Sequence, residues 1–398
     1  MNSRVVALSG GVGGAKLVQG LSQLLDGAAL TAIVNTGDDF EHLGLRISPD
    51  IDSVVYALAG LDDPERGWGR CGESWTFMAA LKALGGPTWF ALGDGDLALH
   101  VERTRRMAEG ATLGEVTQQL ARALGVRARV VPMSDDPVRT RVITDEGELG
   151  FQDYFVNRRC APRIRSLRFE GADRARAHPE ALEALSAPDL RLVIVCPSNP
   201  FVSIEPILAV PGMRAALESA RAPVIAVTPI IGGRAVKGPA AKMLAELGLA
   251  VSARAVARHY SGLIDAFVLD RIDEQEPAAD APAGMRLVYA DTLMRDRDDR
   301  RRLAAEVLSL AEPLATEAVS AHTHGARRPD PRRCARQTVS RATVEVSGAG
   351  RWHRLSRLSA QALKLGLRQA TAPPGHAAPP PAVSGGRRPP LPGCAGLQ

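Results

Sequence analysis

The residues able to do chemistry gather in a few short stretches of this 398-residue chain. Asn35-Thr36-Gly37-Asp38-Asp39 and Ser48-Pro49-Asp50-Ile51-Asp52-Ser53 place four carboxylates close together. Such a cluster suits a hard cation such as Mg²⁺, or hydrogen bonding to a polar ring. The plainer alternative is that Asp52-Ser53 caps the helix containing Val54, Val55 and Leu58, the other acids being solvated turn residues. Ser9-Gly10-Gly11-Val12-Gly13-Gly14-Ala15-Lys16 offers a second chemistry. Its four glycines allow close backbone approach and positive φ, and a helix start favours an anion. The loop is neither a Walker A loop, which needs Gly at Ala15 and Ser or Thr at Leu17, nor a dinucleotide fingerprint, which needs Gly at Lys16.

Further polar loops follow. Leu92-Gly93-Asp94-Gly95-Asp96 leads into a helix over 97–107 in which His100 reads most simply as structural. Met133-Ser134-Asp135-Asp136-Pro137 sets two acids beside a hydroxyl, a good loop for a polar ligand. In Pro197-Ser198-Asn199-Pro200 two prolines fix the direction of a hydroxyl and an amide. Thr228-Pro229-Ile230-Ile231-Gly232-Gly233 and Lys237-Gly238 again combine glycine-rich backbone with one lysine, where a phosphate is welcome. Trp68 and Trp75 suit either stacking on an aromatic substrate or core packing, and Arg158, Arg159 and Arg163 either phosphate or a solvated face.

Most of these loops follow apolar runs that read as strands: Val5–Leu8, Thr31–Val34, Thr88–Leu92, Ala128–Val131, Leu190–Val195, Val224–Thr228, Ala266–Leu269 and Leu287–Ala290. Runs such as Leu192-Val193-Ile194-Val195 are apolar on both faces, as parallel strands covered by helices are. Alternation with helical patterns predicts an α/β fold, a Rossmann-like doubly wound, mostly parallel sheet with ligand sites at the strand carboxyl ends. A smaller helical insertion is expected around 54–125, residues 54–85 reading as helical, with a β-rich excursion after Thr140 and a last amphipathic helix at 301–311.

The first domain is expected to span 1–312 and a basic Pro/Ala/Arg-rich tail 313–398, disordered by composition. From Pro313 onward there are 13 Arg or Lys and 3 acids, a surplus of +10 that leaves −5 for residues 1–312 out of the chain's +5. The basic character therefore belongs to the tail, and no nucleic-acid partner is expected for the main domain. No run approaches the roughly 18 apolar residues of a membrane span, and the N-terminus enters a strand without a signal-peptide pattern, so no membrane partner and a cytoplasmic location are expected. Five scattered cysteines form neither a CxxC nor a Cys/His cluster.

With the loops in order, the chain resembles the 2-phospholactate transferase family of coenzyme F-420 biosynthesis. The likeness rests on SGGVGGAK at 9–16, NTGDD at 35–39, SPDIDSVVY at 48–56, LGDGDLALH at 92–100, PMSDDPVRT at 132–140, PSNPFVSI at 197–204, TPIIGGRAVKGPA at 228–240 and ADTLM at 290–294. It implies a homodimer that moves a phosphorylated hydroxy-acid (2-phospholactyl, enolpyruvyl-phosphate or 3-phosphoglyceryl) from a guanosine diphosphate-linked donor to the hydroxyl of the deazaflavin Fo. GMP leaves, Mg²⁺ is required, and a partner guanylyltransferase makes the donor. Carried onto this sequence, the donor nucleotide and phosphates go to Gly10, Gly11, Gly13, Gly14, Lys16, Ser198, Asn199 and Gly238. Fo goes to Asp50, Asp52, Asp94, Ser134 and Asp135, the metal to Asp38, Asp39, Asp50 and Asp52, and catalysis to Asp50 and Asp52, between which the sequence does not choose. Relatives usually carry a basic residue where Gly95 stands, a contact then lost or supplied from Arg70 or Arg103. The alternative class is a non-catalytic nucleotide or nucleotide-sugar regulator on the same fold. A dinucleotide oxidoreductase fits less well, because Lys16 replaces the third fingerprint glycine.

Overall fold

A computed structural model describes residues 3–275, 284–316 and 343–344. Seven strands form the central sheet: β1 (Arg4–Ser9), β2 (Leu30–Val34), β3 (Arg129–Pro132), β4 (Leu190–Val195), β5 (Val224–Val227), β6 (Ala266–Asp270) and β7 (Arg286–Ala290). All neighbours pair in parallel, in the spatial order β3-β2-β1-β4-β5-β6-β7. That is the doubly wound order expected, with a topological switch point between β1 and β4. In β1, Val6 and Leu8 enter one buried apolar cluster while Val5 and Ala7 enter another, so the sheet separates two cores.

Helix α1 (Gly11–Ser22) leaves β1 directly, and α2 (Pro49–Ala59) follows a short hairpin after β2. Ser48 is the N-cap residue of α2 and Pro49 opens its first turn, which places Asp50 and Asp52 inside that turn rather than on a loop. The insertion contributes α3 (Thr76–Ala83), α4 (Asp94–Ala108) and α5 (Leu113–Ala123). Residues 60–75 between α2 and α3 are not helical as expected. Gly60, Gly67, Gly69 and Gly72 all take positive φ there, and they break the helical run.

One other expectation is corrected. The run Thr88–Leu92 is not a strand: Trp89 and Phe90 pack edge-on against Phe40 and His42, and this local aromatic cluster holds the segment without a ladder partner. The β-rich excursion is an antiparallel sheet of Arg139–Thr144, Gly147–Gly150 and Ile164–Glu170, edged by Thr343–Val344. Within it Arg158 pairs with Glu146 and Asp153 at the surface. The last long helix spans Arg297–Ser309, and residues 311–316 are again helical with Leu314 buried. Apart from those residues and the pair 343–344, the expected disordered tail lies outside the described residues. Among the described residues no helix is long and apolar enough to cross a membrane.

Candidate active site

A cavity of about 720 Å³ opens at the carboxyl ends of β1, β2, β4 and β5, over the switch point. The glycine loop forms its floor. Gly10 caps α1 with extended backbone and no side-chain cap, and its N–H donates to Ser198 Oγ at 3.1 Å. Ser198 Oγ in turn donates to the Gly10 carbonyl at 2.7 Å. Ser198 therefore shapes the loop as well as lining the cavity. A Cβ at Gly13 would stand 2.5 Å from the Pro197 carbonyl oxygen, and one at Gly10 would stand 2.6 Å from Ser203 Cβ. Gly14 does not line the cavity. Its missing side chain lets Ser9 and Ser198 close in behind the loop, with a built Cβ only 2.4 Å and 2.5 Å from their hydroxyls.

Lys16 lines the floor and donates from Nζ to the Met294 carbonyl at 2.8 Å. Burial, then the charges of Arg300 and Lys237, lower its pKa. Gly238 stands on the opposite wall in a positive-φ turn. Asn199 lines the cavity too, but its Oδ1 accepts from the Phe201 N–H and so fixes the turn that follows.

The four central carboxylates divide into different environments. Asp50 and Asp38 are buried side by side and share a hydrogen bond. Asn35 Nδ2 donates to Asp50 at 2.9 Å and to Asp38 at 3.3 Å, Gln152 donates to Asp38 at 3.2 Å, and the Gly11 N–H donates to Asp50. Burial drives Asp38 well above the usual carboxylate range, reinforced by the charges of Asp50 and Asp39. Burial likewise lifts Asp50 to about 6. Asp52 instead forms a two-pronged ion pair with the buried guanidinium of Arg103, one prong at 3.1 Å. Asp39 accepts from Ser48 at 2.8 Å and does not line the cavity, and burial raises it to about 7.

The expected four-carboxylate metal set is thus not assembled. Among the described residues no three of His, Cys, Asp and Glu form a metal-holding group. Asp38 and Asp50 alone make a pair whose mutual repulsion a divalent cation relieves. One or two carboxylates plus substrate phosphates is the usual donor set for Mg²⁺, so these two residues fit it.

Three expected acceptor residues lie off the cavity. Asp94 accepts from Ser74 Oγ at 2.6 Å and from the Thr76 and Phe77 N–H groups, fastening the start of α3. Ser134 donates to the Arg176 carbonyl at 2.7 Å, and Asp135 accepts from the Gly114 N–H at 2.7 Å, so both brace a turn after β3. The acid that does line the cavity is Asp96, two residues beyond Asp94. Its only advance signal is its place in the GDGD run beside a helix start. Gly95 has no side chain because Arg70 fills that space: a Cβ there would lie 2.2 Å from Arg70 Nη1, whose guanidinium pairs with Glu73.

Aromatic side chains complete the walls. Phe151 and Phe155 stack with planes 7° apart and centroids at 5.5 Å. Both line the cavity, as do Trp89, Phe90 and Trp68, the last beneath the Arg66 guanidinium. Trp75 also contacts Arg66 but lies off the cavity. Phe155 and Val202 belong to two single-turn π-helices, Asp153–Asn157 and Pro200–Ile204, a geometry frequent at functional sites. Lys237 Nζ donates to the Gly67 carbonyl and joins two glycine-rich loops across the cavity.

The family model of 2-phospho-L-lactate transferase CofD matches residues 5–309. A phosphoenolpyruvate transferase of Streptomyces griseus is 41% identical over 317 residues, covering 78% of this chain and 99% of the relative. A 2-phospho-L-lactate transferase of Methanopyrus kandleri is also 41% identical, over 79% of this chain and 99% of that protein. Among solved structures, a UPF0052-family protein of Bacillus halodurans aligns with a TM-score of 0.50 at 15% identity, over 77% of this chain and 99% of its own, a likeness of fold.

Proposed function

The chain belongs to the 2-phospho-L-lactate transferase family, and from that premise we propose that it transfers a phosphorylated hydroxy-acid from a guanosine diphosphate-linked donor to the hydroxyl of the deazaflavin Fo. The observation that carries this reading is the buried Asp38–Asp50 pair, set against the N–H groups of the glycine loop inside an aromatic-walled cavity. A cation placed between this pair and the donor phosphates displaces the proton that the pair otherwise holds and lets both carboxylates ionise. Mg²⁺, when bound by Asp38 and Asp50, supplies neutralisation of the donor's phosphate charge.

The hydroxyl oxygen of the acceptor bonds to the phosphorus that carries the acid. The bond from that phosphorus to the bridging oxygen breaks, GMP leaves with the electron pair, and the hydroxyl's proton leaves by way of Asp52. The protein's work is positioning and charge placement. Gly10–Gly13 cradle the diphosphate, Lys16 and Lys237 face it, and Ser198 holds the cradle in shape. Asp52, held in place by its ion pair with Arg103, accepts a hydrogen bond from the attacking hydroxyl and aims it. The donor is made by a partner guanylyltransferase, and the working assembly is a homodimer.

The relatives carry the names of two different acids, and 2-phospholactate, phosphoenolpyruvate and 3-phosphoglycerate differ only by small substituents. A pocket separates such groups by about 1–3 kcal/mol. The deciding experiment supplies Fo, Mg²⁺, GTP and the guanylyltransferase with each acid in turn and weighs the product. One acid is expected to give an Fo adduct with one GMP released per adduct. Absence of any adduct, with GDP still bound, would leave a nucleotide-binding protein without this activity.

A further inference from the structure

Asp96 is a carboxylate in the cavity wall that the phosphoryl transfer does not use. Its Oδ1 accepts from Tyr56 Oη at 2.6 Å and faces His100 Nε2 at 3.3 Å. The tautomer of His100 follows from its other neighbour. Arg103 Nη1 lies 3.2 Å from His100 Nδ1, and a guanidinium only donates, so Nδ1 accepts and Nε2 carries the hydrogen, which makes no hydrogen bond among the described residues. Burial favours the neutral acid, but His100, Tyr56 and Arg103 outweigh it and hold Asp96 below the usual carboxylate range. Tyr56 is thus the donor to Oδ1, His100 stands beside it, and Oδ2 accepts no hydrogen bond among the described residues. Asp96 is thus an acceptor held by Tyr56 with one oxygen unused, in a cavity that Trp68, Trp89, Phe90, Phe151 and Phe155 also line.

The fold says which substrate this oxygen meets. The loops after β4 and β5 and the glycine loop form the phosphate-facing side. Asp96 stands on the other side, on α4, tied through Tyr56 and His100 to the α2 turn that holds Asp52. Resting on the reading above, in which Asp52 aims the acceptor hydroxyl, we infer that Asp96 selects the acceptor by taking a hydrogen bond from it. The donor group is a ring imide N–H or a side-chain hydroxyl of the planar heterocycle. Tyr56 and His100 are positioning residues for that bond, and an acceptor with no donor at this point leaves a desolvated carboxylate unpaired, which is how the site rejects it.

The test is a titration of Fo by its own fluorescence, with GDP binding measured in parallel on the same preparations. Wild-type protein is expected to bind Fo and to discriminate against either an N-methylated ring or an acceptor with a shortened side chain, and the analogue that loses binding identifies the group. Asp96→Asn should weaken Fo binding about 10-fold or more and erase that discrimination, with GDP affinity unchanged. Tyr56→Phe, which keeps the ring and the packing, should weaken Fo by a smaller factor in the same direction. Unchanged Fo affinity in both variants, or a loss of GDP affinity in place of Fo affinity, overturns the inference. If wild-type protein binds GDP but not Fo, the functional reading falls first and the inference falls with it.

Discussion

Asp50 and Asp52 stand two positions apart in one helical turn and do different things, because their partners come from elsewhere in the chain. Asn35 and Asp38 meet Asp50, whereas Arg103 meets Asp52. The motif was legible in the sequence, but the division was not, since no local pattern brings Arg103 to Asp52. The displacement of Asp94 by Asp96 has the same origin: helix direction, not spacing, decides which acid faces inward. Two outcomes follow at this scale. Asp50→Asn should abolish turnover and weaken Mg²⁺ binding in calorimetry while sparing protein folding, because the buried pair loses a charge. Arg103→Leu leaves the Asp52 charge buried without its partner and should cost about 3–5 kcal/mol in denaturant unfolding. The acid cluster also sets a pH dependence. Asp39 and Asp50 titrate near 7 and 6 when folded and near the ordinary carboxylate value of 3.8 when unfolded, so the folded state holds more protons in between. Stability of the metal-free protein should therefore fall as pH rises from about 4 to 7, and added Mg²⁺ should reverse much of that fall.

At the scale of elements, the parallel strands were legible because burial on both faces writes itself as continuous Val, Ile and Leu. The run Thr88–Leu92 imitated that signature with Thr, Trp and Phe, yet its side chains are held by Phe40 and His42. Apolar composition reports burial and cannot say whether a ladder or a cluster provides it. The glycines divide in the same way. Gly10 and Gly13 give the backbone room at the cavity, whereas Gly20 serves helix packing: a Cβ there would lie 2.1 Å from the Arg300 carbonyl oxygen on the helix Arg297–Ser309. Gly20→Ala should force α1 and that helix apart and destabilise the protein by roughly 1–3 kcal/mol in chemical denaturation, without changing GDP affinity relative to the folded fraction.

For the whole molecule, the switch point collects what the sequence scatters. Residues from Gly10 to Met294 line one cavity, and β1 and β4, adjacent in the sheet, lie far apart in the chain. The doubly wound architecture, with ligand sites at the strand carboxyl ends, was predictable from alternation, and the loops after β1, β2, β4 and β5 do meet at one cavity there. Among the described residues none beyond Met294 lines the cavity. A chain ending at Thr316 loses the edge pairing of Thr343–Val344 but should keep full activity, and a loss of activity in a folded truncation would assign the basic tail a part in the site.

The bridge from Lys237 to the Gly67 carbonyl has a kinetic consequence. It joins a loop after β5 to one after α2 by a charge-assisted hydrogen bond to backbone, and both loops line the cavity. A nucleotide entering beneath that bridge must first part it, and afterwards gives the same ammonium a phosphate to hold. Occupancy then exchanges one cross-link for a stronger one. Ligand residence should lengthen and association slow relative to Lys237→Met, a difference that stopped-flow traces resolve even where the two equilibrium affinities coincide.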